Sequence, residues 1–129
     1  MKKLASICLG LGLLVTSQAH ADPSMECSGG SQVEIGDCVR ATEETVNKTV
    51  ELALGFAMDS AKELDDVTGR KVAAKALTAG QQAWSGYRDA HCEYVGSTFG
   101  GGSGTGIAIM SCRVELGRQR VSSLMNGLN

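Results

Sequence analysis

The chain has 129 residues, with 12 Lys and Arg against 14 Asp and Glu, and is 43% hydrophobic but only 4% aromatic. That near balance, tipped to the acidic side, provides no basic footprint for nucleic acid or for an anionic membrane, and it is compatible with a basic partner. The length suits one domain with its own core and does not suit two.

Residues 1–21 read as a secretory signal peptide. Met1-Lys2-Lys3 forms a positive start, Leu4 to Val15 an apolar run too short for a stable membrane span, and Ala19-His20-Ala21 a small-x-small cleavage site. Cys8 lies inside the apolar run, not after a cleavage point, which argues against lipid modification. No later segment approaches the roughly 20 continuous apolar residues of a membrane helix. The expected product is residues 22–129, periplasmic or secreted, without a stable membrane anchor. Loss of Lys2 and Lys3 leaves ten bases against 14 acids, a net charge near −4.

Removal of Cys8 leaves Cys27, Cys38, Cys92 and Cys112. Four cysteines in a small exported chain read as two disulfides. A metal site is a poor alternative, since no C-x-x-C spacing occurs and the one remaining histidine, His91, adjoins Cys92. No metal or cofactor is expected.

In chain order, residues 22–37 look irregular, with Pro23 and the pair Gly29-Gly30. From about Val39 the pattern becomes helical: Val46, Val50, Ala53, Ala57, Ala61 and Leu64 recur at spacings of three and four, widened by Leu54 and Met58. The run fades at Asp65 to Gly69, where a turn is expected. A second helix is predicted from about Arg70 to Tyr94. It carries the only Trp in the chain, with Ala83, Trp84, Tyr87 and His91 near one face and Arg88 placed to lay its stem along the indole. The segment Gly96 to Gly106 is too glycine-rich for a helix or packed strand. A third helix follows, in which Ile107, Met110, Val114, Gly117, Val121, Leu124 and Leu128 form the cleanest apolar stripe, and Gly117 on that stripe implies the close approach of a neighbour. The fold class is therefore all-α, a small antiparallel bundle of about three helices stapled by two disulfides.

Four cysteines allow three pairings. The sequential one, Cys27–Cys38 with Cys92–Cys112, is preferred, although a regular third helix would turn Cys112 nearly opposite its apolar stripe. Cys27–Cys112 therefore stays open as an alternative.

The stretch Gln81 to Cys92, of the form Q-x-A-W-x-x-Y-R-D-A-x-C, resembles the signature of the LprI-like lysozyme-inhibitor family of small exported bacterial proteins. Glu43-Glu44-Thr45-Val46-Asn47 with Val50 resembles that family's D-x-x-L-N-x-x-Y helix, and Cys112, Arg120 and Leu124 resemble its closing helix, with Gly117 where a Thr is usual. The resemblance implies a mostly helical, disulfide-bonded exported domain that binds and inhibits lysozyme. The motif residues Gln81, Ala83, Trp84, Tyr87, Arg88, Asp89 and Arg120 then read as a fold signature, with Trp84 and Tyr87 packing the core and Arg88 and Asp89 satisfying loop carbonyls or a helix end.

Other chemistry is weaker. The glycine-rich loop lacks the Gly-Lys-Ser/Thr ending and the preceding strand of a phosphate cradle. It reads instead as an exposed loop, with Phe99, Gly101 and Gly102 as a candidate partner-binding edge. His91 and Cys92, adjacent on a helix, diverge by about 100° and make no nucleophile pair. Glu63, Asp65 and Asp66 cluster at a helix end, a solvated group or a steering patch for a cationic protein such as lysozyme. No carboxylate pairing defends a hydrolase reading. The expected function is a non-enzymatic exported binding protein, inhibiting lysozyme by lying over its cleft. The alternative is a structural or envelope module that binds another periplasmic protein or a wall component.

Overall fold

The computed structural model describes residues 22–128, so the leader expected over residues 1–21, including Cys8, lies outside the described residues. The regular structure among them is helical: α1 (Pro23–Glu26), α2 (Gln32–Thr68), α3 (Ala73–Ser97) and α4 (Gly104–Asn126). The long helices α2, α3 and α4 pack together with both disulfides in the sequential pairing, Cys27–Cys38 and Cys92–Cys112. No described helix is long and apolar enough to cross a membrane.

Local chemistry explains where each helix starts and stops. Asp22 accepts from the Ser24 backbone N–H, and Pro23 stands at the first position of α1, where its missing N–H costs nothing. Helix α2 begins at Gln32, seven residues before the predicted Val39. Ser31 Oγ accepts from the Glu34 N–H at 3.2 Å while Glu34 Oε2 accepts from the Gly30 N–H at 2.7 Å, a reciprocal cap. Gly69 ends α2 in the left-handed region at φ 67°, which a residue without Cβ adopts cheaply. The next helix starts at Ala73 rather than Arg70, because its cap comes from the helix before it. Asp65 Oδ1 accepts from Val72 and Ala73 N–H, each at 2.8 Å, and Oδ2 from Ala74 N–H at 3.0 Å. Helix α3 runs on past the predicted Tyr94 to Ser97, and Gly100 and Gly101 take positive φ in the loop before α4.

The bundle runs up, down and up. Gly36 faces Ile107, Glu43 pairs with Arg113, and Val46 and Val50 meet Gly117, so α2 and α4 lie parallel at a nearly constant offset of about 70 residues. Helix α3 returns antiparallel between them in sequence, with Gln81 on Arg120, Cys92 on Cys112 and Gly96 against Ile109. The core is a seam of small side chains: Val39, Val46, Val50 and Ala53 from α2, Val114 and Leu124 from α4, and Cys92 from α3. Trp84 and Val121 pack against its Val46–Val50–Val114 centre. Each fully buried Val contributes roughly 1.5 kcal/mol. A disulfide closing a loop of 11 or 20 residues contributes about 3 kcal/mol in the chain-entropy model, so each staple matches about two buried valines.

Two expectations of a single stripe need correction. On α2 the stripe holds at Val46, Val50 and Ala53, but Leu64 is 55% exposed and Asp65 takes the inward position beside it. On α4, Val114, Gly117 and Leu124 are buried as predicted, but Ser111 is buried too. Helix α4 meets α1, α2 and α3, so more than one of its faces is covered. Cys112 therefore points away from the α2 seam and still reaches Cys92, which is fully buried.

Candidate functional site

The Q-x-A-W-x-x-Y-R-D stretch does its work between helices. Trp84 is partly buried, with the Arg88 guanidinium carbon 5.2 Å from its ring centroid and that of Arg120, from α4, at 5.8 Å. Each cation over the indole face contributes on the order of 0.5–1 kcal/mol. Arg120 Nε donates to Gln81 Oε1 at 2.9 Å, tying α4 to α3. Arg88 donates through Nε to Asp89 Oδ1 at 2.9 Å and through a terminal nitrogen to Asn47 Oδ1 of α2 at 3.4 Å. Arg113 of α4 lies among Glu43 at 3.7 Å, Asp89 at 3.7 Å and Glu93 at 3.4 Å, one cation serving carboxylates of two other helices. The expected use of Arg88 and Asp89 on loop carbonyls or a helix end is replaced by this cross-helix network. Glu43 enters the sequence reading only through its resemblance to the family's D-x-x-L-N-x-x-Y helix, and its partner Arg113, 70 residues away, has no local signal.

The core assignment of Tyr87 is overturned. The phase of α3 is set by Cys92, whose disulfide faces α4. Counting back, Arg88 and Trp84 share that face, whereas Tyr87, five residues away, is turned by about 140°. Tyr87 is 56% exposed and stacks on His91 with centroids 5.3 Å apart; Tyr94, 66% exposed, follows at 6.4 Å from His91. Ala83 is exposed as well. The result is an outward aromatic ridge at positions 87, 91 and 94, a helical spacing legible in the sequence but attributable there to a core face.

The residues proposed for partner contact fall at opposite ends of the bundle. Phe99, Gly101 and Gly102 are exposed beyond the C-terminal end of α3. Glu63, Asp65 and Asp66 lie near its start, so the 25-residue α3 separates the two groups by roughly 36 Å, and they do not make one surface. Within the acidic group, Glu63 and Asp66 are exposed, but Asp65 is buried as the cap of α3. The Ala73, Ala74 and Val72 N–H groups hold its carboxyl below the ordinary carboxylate range, against the opposing effect of desolvation. A second anchored acid is Glu26. Its bidentate bonds from Arg118, at 2.8 and 2.7 Å, lower its pKa and raise that of the arginine.

Phe99 also borders a groove of about 490 Å³ formed where α1 and the start of α2 meet the end of α3 and the first half of α4. Ile35, Val95 and Ile107 supply apolar wall, and His91 brings the aromatic ridge to its edge. Among the described residues, no group of three or more His, Cys, Asp or Glu is placed to hold a metal ion.

Compared with known proteins, residues 24–124 match the family described as "Lysozyme inhibitor LprI". An uncharacterized protein of Rhizobium meliloti (strain 1021) is 34% identical over 129 aligned residues, covering 95% of this chain and 93% of its own length. No solved structure matches the chain.

Proposed function

The chain belongs to the LprI lysozyme-inhibitor family, an inhibitor family and not an enzyme family, and on that premise we propose that it is an exported binding protein that inhibits lysozyme by occupying the active-site cleft. Export follows from the leader read over residues 1–21, and the two disulfides suit an oxidising compartment, periplasmic or secreted. The family match is the observation that carries the reading. Two physical points support it. The signature side chains Gln81, Trp84, Arg88, Asp89 and Arg120 are occupied in holding three helices together, which leaves partner contact to the outer surface. The acidic balance of the mature chain favours association with a strongly cationic enzyme, chiefly by raising the association rate.

Titration of the mature, oxidised protein into a c-type lysozyme by calorimetry tests the proposal, with a parallel assay of cell-wall lysis. The expected result is a 1:1 complex that weakens as salt rises, and lysis that falls as the complex forms. Undiminished lysis at excess protein, with no complex detected, refutes it.

A further inference from the structure

Three surfaces stand out beyond the helix seam. The outer face of α2 exposes Leu52 and Phe56 one turn apart, but nothing indicates what would cover it. At the acidic end Glu63 and Asp66 are exposed, and Asp65 between them is committed to the cap of α3. The groove beside the aromatic ridge combines shape with an acidic side chain in its lining.

Its volume of about 490 Å³ lies within the roughly 300–1,000 Å³ typical of ligand clefts. Ile35, Val95, Phe99 and Ile107 supply its apolar wall and Ser24, Gln32 and Gln119 a polar one; of its two acids, Asp22 caps α1 and carries the α-amino group of the expected mature chain, which leaves Glu115. No lysine or arginine is among the lining residues. The nearest cation on α4, Arg118, is committed to Glu26 through two bonds. Beneath the groove Ser111 is only 5% exposed, and its hydroxyl has no hydrogen-bond partner among the described residues. His91 lines the groove and continues outward into the exposed Tyr87, stacked on it, and the exposed Tyr94, tilted against it, rigid amphipathic side chains of the kind that concentrate binding energy at protein interfaces.

A slot that is partly apolar, with Glu115 in its lining and aromatic side chains beside it, fits a long aliphatic stem ending in a cation. We propose that this groove is the contact surface for a cationic protein partner, receiving an arginine or lysine side chain whose stem lies on Val95 and Ile107 and whose head meets Glu115, while the Tyr87–His91–Tyr94 ridge lies against the partner's surrounding surface. This rests on the lysozyme-inhibitor reading and assigns it a face. The rim aromatics make shape-dependent contacts and the groove makes the charge-dependent one, so affinity depends on both.

The test compares binding of a c-type lysozyme to the oxidised wild type, to Glu115→Gln, Tyr94→Ala and His91→Ala, and to Phe56→Ala and Glu63→Gln as distant controls. Unchanged melting temperatures confirm that the exposed substitutions leave the fold intact. The groove and rim variants are expected to weaken binding about tenfold or more each, and the controls to stay within about twofold. Tight binding by all three groove and rim variants overturns the groove while leaving lysozyme inhibition standing. If wild type itself does not bind lysozyme, the functional reading fails separately, and the groove is judged by amide shifts on titration with N-acetyl-arginine amide. Saturable shifts confined to Val95, Phe99, Ser111 and their neighbours sustain it. Absent or scattered shifts overturn it, as do shifts at these residues produced only by chitotriose, which would assign the groove to a glycan.

Discussion

Replacing Gly117 with Ala tests whether the α2–α4 seam is as close as described. In an open helix interior, Gly→Ala gains roughly 1 kcal/mol from backbone entropy. Gly55, Gly80 and Gly86 offer that situation, since a Cβ built at each meets no heavy atom within 4 Å. At Gly117 the same methyl would run into Val46 Cγ1 and lie 3.8 Å from Val50 Cγ2. Both valines are buried, and Val46 cannot swing into solvent. Overpacking of this kind costs about 1–3 kcal/mol, which offsets the helix gain and leaves a net loss centred near 1 kcal/mol. For a domain of this size the melting temperature should fall by about 4 °C, whereas Gly55→Ala should raise it by a similar amount. Urea denaturation of the oxidised proteins at constant m-value measures the difference, expected at about 2 kcal/mol between the two variants. Val46→Ala supplies the second leg. Alone it removes two buried methyl groups at roughly 0.8 kcal/mol each plus a cavity, but it also clears the space that a methyl at position 117 needs. The double variant should therefore lose at least about 1 kcal/mol less than the sum of the single losses. If Gly117→Ala stabilises as much as Gly55→Ala, or if its cost is unchanged in the Val46→Ala background, the two helices are further apart than the glycine contacts require.

Three further outcomes follow from the geometry. Asp65 has a folded pKa below its ordinary value of 3.8, so its contribution is complete above that value and is lost as pH falls through the folded pKa. The urea midpoint should drop more steeply between about pH 5 and pH 2 in the wild type than in Asp65→Asn, and equal slopes would exclude Asp65 as the ionised cap. Replacing Cys92 and Cys112 by Ser should lower unfolding free energy by about 3 kcal/mol, and by slightly more than removal of the shorter Cys27–Cys38 loop; unchanged stability on reduction would refute a structural role. Arg120→Lys keeps the charge but loses the planar donor to Gln81 and the stacking on Trp84, and should cost about 1 kcal/mol and alter tryptophan emission; an unaltered spectrum and midpoint would count against the stacked arrangement.

Much of the scaffold could be read before the structure, for identifiable reasons. Val46, Val50, Val114, Gly117 and Leu124 recur at helical spacing, and burial follows spacing when one face is covered. That assumption failed where α4 met several neighbours, which is why Cys112 looked misdirected. The start of α2 was legible in Ser31 and Glu34, a three-residue cap signal passed over because Gly29-Gly30 suggested an irregular segment. Tyr87 was assigned to the core because aromatics at helical spacing usually face inward, whereas the disulfide at Cys92 sets a different phase. The arginine network and the groove were beyond local reading altogether. Arg113 reaches Glu43 across 70 residues, and the groove draws Ile35, Val95 and Ile107 from three separate helices. The cap by Asp65 occupies the middle ground: an acidic residue near a helix end was visible, but that it turned back on the following helix depended on the tight turn at Gly69.

The two disulfides join cysteines that are neighbours in the order of the chain, across 11 and 20 residues, whereas the valine seam joins segments some 70 residues apart. Short loops close with less entropic cost than long ones, so oxidation of an unfolded chain already favours the native partners. Covalent closure can thus run ahead of hydrophobic closure, with the native bridges favoured over the longer-range ones. The seam itself waits for the last helix, so a chain ending within residues 98–103 would keep only the Cys27–Cys38 staple and expose the Val46 and Val50 side chains that α4 covers.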